Sequence, residues 1–314
     1  MTEKKLFWEH PVVFFITRMF ILAGMMLVFA GFAYSIALYT SKPIFGIDFL
    51  SNPSLLTDFN STTNINALKY IQALTSAGLF IYPAWYFCKS IHQVPAEFLK
   101  LNRKTKPTEI ILAILVVLTA MPFVSWLIYV NSFLKLPASM AQLESEMKAA
   151  EELAGHFTQA FVKANTLDVL WINLIVIAII PAIGEEFLFR GVLQNFVRLT
   201  TGKKHFSVWI VAIVFSAFHG QFYGFIPRLV LGAALGYAYL FTGNLWISII
   251  MHFVNNAFAV VSSYTPIKNN LPTIMQDGYV FESWMINTGS VVLTIGLLWI
   301  LRNITFKRVW YNGE

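Results

Sequence analysis

Apolar residues along this chain gather into blocks that reach the roughly 20 residues a helix needs to cross about 30 Å of hydrocarbon. Together the blocks fill most of its 314 residues. They predict about eight spans, over residues 12–39, 65–91, 109–133, 168–198, 207–225, 227–241, 245–264 and 284–301. The fourth is too long for one perpendicular span, so it tilts, breaks near Pro181-Ala182-Ile183-Gly184, or continues past the membrane surface. The sixth is short and glycine-rich, which suits close helix packing. Between the third and fourth, residues 139–163 have helix-favouring composition and irregular three-to-four apolar spacing. That stretch either lies along the membrane surface or is a solvated connector.

Composition agrees. Hydrophobic residues make up 57% of the chain and charged residues 12%, against about 25% charged in soluble domains, and the mean hydropathy is +0.64. The expected fold is an all-α, polytopic integral membrane bundle. The net charge of +6 follows from lysines and arginines in the loops, so no nucleic-acid partner is implied. Lys4, Lys5, Lys89, Lys100, Arg103, Lys104, Lys106, Arg198, Lys203, Lys204, Arg302, Lys307 and Arg308 fall on one side. The other side receives mainly Lys42, Lys135, Lys148, Lys163 and Lys268, with Asp48, Asp58, Glu144, Glu146, Glu151, Glu152, Asp277 and Glu282. The positive-inside rule then puts both termini in the cytoplasm. The first block reads as a retained anchor, because it holds Arg18 and lacks a small-residue cleavage site. Cys88 stands alone, which excludes an intramolecular disulfide and a CxxC metal site.

Ionisable side chains within hydrocarbon cost several kcal/mol unless paired or hydrated, so those inside the spans are functional candidates. His10, His92, His156 and His205 fall at span ends or in loops, leaving His219 and His252 inside the apolar blocks with Glu185, Glu186 and Arg190. Glu186 and Arg190 stand four apart on one helix face and form an ion pair, whereas Glu185 is turned away by about 100°. Phe215 and His219 share the four-residue spacing, as do His252 and Asn256. His219, Glu186 and Asn256 come out at similar depths, roughly 16 to 18 Å, from an axial rise of 1.5 Å per residue. A carboxylate, two imidazoles and a carboxamide supply a base for water, an acid for a leaving amine and oxyanion donors. The same groups in helices also serve transporters as proton relays, but no pseudo-repeat is seen. A metal site is weaker, because HExxH is missing and Glu185, His219 and His252 lie on three different helices.

These motifs, EExxxR at Glu185, Glu186 and Arg190, FxxxH at Phe215 and His219, and HxxxN at His252 and Asn256, occur in order. The chain resembles the CPBP (Abi) family of intramembrane proteases, which includes the Rce1-type CAAX prenyl endopeptidases and bacterial members linked to bacteriocin immunity. The resemblance divides the chain into residues 1–166 without a family motif, a catalytic core at 167–264, and a last helix with a basic tail at 265–314. It implies that Glu185 with His219 activates water, that His252 and Asn256 stabilise the oxyanion, and that Glu186, Arg190 and Phe215 support them. A divalent ion such as zinc, held by Glu185, His219 and His252, is the family's other described chemistry. The implied partners are a peptide or membrane-protein substrate and the lipid bilayer, and the implied place is the bacterial cytoplasmic membrane. A non-catalytic immunity or scaffold protein of the same fold is the alternative function.

Overall fold

The computed structural model describes residues 11–91, 93–270 and 283–310. His10, His92, Lys4, Lys5, Asp277 and Glu282 lie outside them, and so do both chain ends whose sidedness the charge pattern predicts. Within the described residues the secondary structure is helical, apart from an isolated parallel bridge between Ala164 and Tyr264. Six helices are long and apolar enough to cross a membrane: α1 (Val13–Phe45), α4 (Pro107–Ser132), α6 (Leu167–Thr201), α8 (Phe225–Thr242), α9 (Leu245–Ser262) and α10 (Trp284–Thr305).

The two other expected spans differ from the prediction. The second block is helical, with α2 (Thr62–Ser76) and α3 (Tyr82–Ser90) joined by a π-helical turn at Ala77–Ile81, but it is not among the six by length and apolarity. The fifth forms only the 15-residue α7 (Lys204–Phe218), because the chain turns at His219 and Gly220 takes a left-handed φ of 64°. The acidic stretch forms α5 (Ala141–Val162), with no buried residue.

The long fourth block stays helical by widening. Two π-helical segments, Leu174–Ile179 and Phe187–Gln194, flank the α-helical Ile180–Glu186. Pro181 explains the first: it has no N–H for the carbonyl four residues back, and its ring crowds that carbonyl, so a wider turn relieves both.

The chain forms two compact units. One comprises residues 1–102 and 183–207, the other residues 103–182 and 208–314. In the first, Phe196 of α6 stacks on Phe15 at 5.3 Å and meets the ring of Phe87 edge-on at 5.5 Å. Asn195 donates to Phe98 O at 2.9 Å. Just before the glutamate pair, a Cβ on Gly184 would come within 2.9 Å of Phe80 Cβ, so only glycine allows that approach. In the second unit, Ala113, Val116 and Val117 of α4 pack with Leu235 and Ala238 of α8, Ile247 and Met251 of α9, and Leu301 of α10. Burial separates interior from lipid-facing helices: 44% of the apolar window of α8 is buried, against 17% for α10, where Val292 and Trp299 project outward.

α9 starts at an Asn244 cap, whose side chain accepts from Trp246 N at 3.1 Å and donates to Thr105 Oγ1 at 3.0 Å. Replacing Asn244 by Ala removes the cap and leaves Thr105 without that partner. The expected loss is about 1 to 2 kcal/mol, read as a lower thermal midpoint in detergent.

Candidate active site

In the first unit, the α-helical turn that ends at Glu186 sets the two glutamates in different surroundings. Glu186 is fully buried, while Glu185 is half-buried. Arg190, 1% exposed, donates from Nη1 to Glu186 Oε1 at 2.8 Å, so the predicted pair forms. Each charge is compensated by the other at short range, which is what makes their burial tolerable in a low dielectric.

In the second unit, α7 and α9 bring three more of the predicted residues together. The buried Phe215 ring lies 4.9 Å from the His219 ring and 6.0 Å from the His252 ring, edge-on to both. Phe215 is held from behind by α8, where a Cβ on Gly232 would approach its Cδ1 to 3.1 Å. His252 is buried on α9, but His219 lies in the turn just past α7 and its residue is exposed. The expectation that His219 sits within a helix is therefore corrected. Its backbone N–H closes a tight turn onto Ser216 O at 3.3 Å.

That turn fixes the imidazole. His219 Nδ1 lies 2.8 Å from Phe215 O. A carbonyl only accepts, so Nδ1 carries the proton and, in the neutral ring, Nε2 carries the lone pair. Such a ring is set up to take a proton at Nε2.

Asn256 holds a backbone defect. Its Nδ2 donates at 3.3 Å to Ile177 O, the carbonyl whose α-helical donor would be the missing N–H of Pro181. Its Oδ1 accepts from Asn255 at 3.2 Å. One Nδ2 proton remains for another acceptor.

Among the described residues no three His, Cys, Asp or Glu side chains are grouped as a metal ion requires. Lys69, which α2 buries to 2% exposure, is a further ionisable side chain within the apolar 65–91 block that the motif spacings do not point to.

Apolar helices crossing a membrane, with a buried ion pair and two imidazoles sharing an aromatic ring, define a polytopic membrane protein with polar motifs inside its helices. Residues 167–258 match the family described as type II CAAX prenyl endopeptidase Rce1-like, so this part of the chain is similar to the Rce1-like members of the CPBP group. That family is one of peptidases. The chain is 32% identical over 89 residues to YpbD, an uncharacterized protein of Bacillus subtilis (strain 168). The match covers 27% of this chain and 42% of that protein, so the chain spans less than half the length of this curated relative. No solved structure matches.

Arg190→Ala leaves Glu186 buried without its cation. The expected destabilisation is about 3 to 5 kcal/mol, seen as lost expression or a collapsed thermal midpoint. Normal yield and melting of this variant would show that the pair does not hold the helix.

Proposed function

We propose that the chain is an intramembrane endopeptidase of the CPBP type, hydrolysing a peptide bond of a peptide or membrane-protein substrate in a bacterial cytoplasmic membrane. One observation carries this reading: Glu185, Glu186, Arg190, Phe215, His219, His252 and Asn256 all fall within the Rce1-like match at residues 167–258. In the reaction, Glu185 with His219 takes a proton from water, whose oxygen attacks the scissile carbonyl carbon. The carbonyl π electrons move to oxygen, and His252 and Asn256 donate hydrogen bonds to the oxyanion. When the C–N bond breaks, the proton passes to the leaving amine.

Three features support these roles. His219 presents its lone pair at Nε2, as a base requires. Asn256 retains an amide proton beyond the one given to Ile177 O. Glu185 is less buried than its neighbour Glu186, which is committed to Arg190. CAAX cleavage names the family; bacteria generally lack prenylated proteins, so the proposed substrate is an unprenylated membrane-associated peptide.

The test is purified protein in nanodiscs with a library of membrane-associated peptides. Glu185→Ala is expected to lower kcat at least about 100-fold, the scale of a lost general base. Equal cleavage by variant and wild type would overturn the assignment of Glu185. No cleavage by either would favour a non-catalytic role such as toxin immunity. Chelation with EDTA or 1,10-phenanthroline is expected to leave kcat unchanged, and loss of activity restored by zinc would overturn the metal-free route.

A further inference from the structure

His219 lies just past the end of α7, so besides its own bonds to Phe215 O and Ser216 O it depends on the loop that follows it. That loop, residues 220–224, is gripped from two elements that precede the family match. Asn131, buried near the end of α4, donates from Nδ2 to Phe222 O at 3.1 Å and also to Tyr223 O. Glu151 on α5 accepts from Tyr223 N at 3.1 Å. The ammonium of Lys148, one turn earlier on α5, lies 6.0 Å over the Tyr223 ring. On the far side Ser216 Oγ donates to Phe225 O, closing the loop across its base.

The grip saturates one peptide group. The Phe222–Tyr223 peptide has its N–H taken by Glu151 and its carbonyl, Phe222 O, by Asn131, so a loop carrying no regular secondary structure is pinned from both directions. Tyr223 lies four residues after His219 in the same loop. α5 has no buried residue, and its ties include Glu151 to this loop, Asn173 to Val162 O, and Glu144 to Leu136 N.

We propose that Asn131 and Glu151 are positioning residues for His219, and that α5 sets the geometry of the proposed active site through the Tyr223 peptide. This rests on the peptidase reading for its effect on turnover, but not for its effect on the ring. Glu144 and Lys148 stabilise the same helix. Their contact, with the Leu136 N–H, keeps the Glu144 carboxyl below its usual range, and Glu144 keeps the Lys148 ammonium above its own.

The experiment uses the full chain in nanodiscs. Glu151→Ala is expected to lower kcat by about tenfold to a hundredfold with KM unchanged, as a misplacement of order 1 Å does. Glu151→Gln keeps an accepting oxygen and is expected to stay within about twofold of wild type, given that the acceptor itself is retained. Asn131→Ala serves as an independent variant. In parallel, histidine labelled with ¹⁵N reports the His219 ring: wild type is expected to show the Nδ1–H tautomer, and Glu151→Ala a mixture. If wild type cleaves no peptide, the peptidase reading fails while the ring signals still decide the positioning role. Unchanged His219 signals in Glu151→Ala and Asn131→Ala, with Tyr223 amide exchange accelerated, would overturn the proposal. Equal loss of kcat in Glu151→Gln and Glu151→Ala would overturn it too.

Discussion

Inside a bilayer every backbone carbonyl needs a donor, and Pro181 removes one in the middle of α6. An unmet carbonyl in hydrocarbon costs several kcal/mol, comparable to the whole margin by which a protein stays folded. Two responses are visible. The preceding turn widens into a π-segment, and Asn256 reaches from α9 to Ile177 O. The second makes α9 a partner of α6 through a named bond, and fixes the rotamer of a residue whose other amide proton is then presented in a set direction. Asn256 thus joins the folding of the helix to the proposed oxyanion contact, and its truncation disturbs both.

The glutamate pair obeys the complementary rule for charge. Glu186 and Arg190 are buried with each other, which confines that carboxylate to a structural role. Glu185, one residue earlier, is turned to a less buried direction, and it is the carboxylate to which the proposed reaction assigns the chemistry. A single helical step therefore separates the buried ion pair from the proposed base. Gly184 belongs to the same arrangement, because the close approach of Phe80 holds the helix at the point where the two carboxylates diverge.

Much of this was legible in the sequence. Block length identifies α1, α4, α6, α8, α9 and α10, since a bilayer imposes a length on apolar runs. Four-residue spacing identifies Glu186 with Arg190, because neighbours on a helix face meet whatever surrounds them. The π-segments were less legible: Pro181 marks a break, but whether a helix bends, tilts or widens depends on what donor stands opposite, and Asn256 is 79 residues away. The end of α7 was missed because FHGQFYGF is apolar enough to prolong a span, while Gly220 reverses the backbone. Asn131 and Glu151 could not be found at all. Their partners are backbone atoms of Phe222 and Tyr223, and backbone groups leave no trace in residue identity.

The Rce1-like match covers residues 167–258, and further contacts that hold this segment come from outside it. Around the glutamates, Phe80 meets Gly184 and Phe189, Phe98 O takes Asn195, and Phe15 and Phe87 enclose Phe196. Around the imidazoles, α4 supplies Asn131 and the core faces Ala113, Val116 and Val117, while α10 supplies Leu301. A motif-bearing segment of this kind keeps its reactive groups few and spaced by the helix, and relies on flanking helices to exclude lipid and satisfy loops. On the proposed reading, the flanking helices specify how the motif groups are aimed. That is where a chain with common motifs acquires its own behaviour, and the Tyr223 peptide, held between α4 and α5, is the point at which the flanking structure touches the motif set most directly.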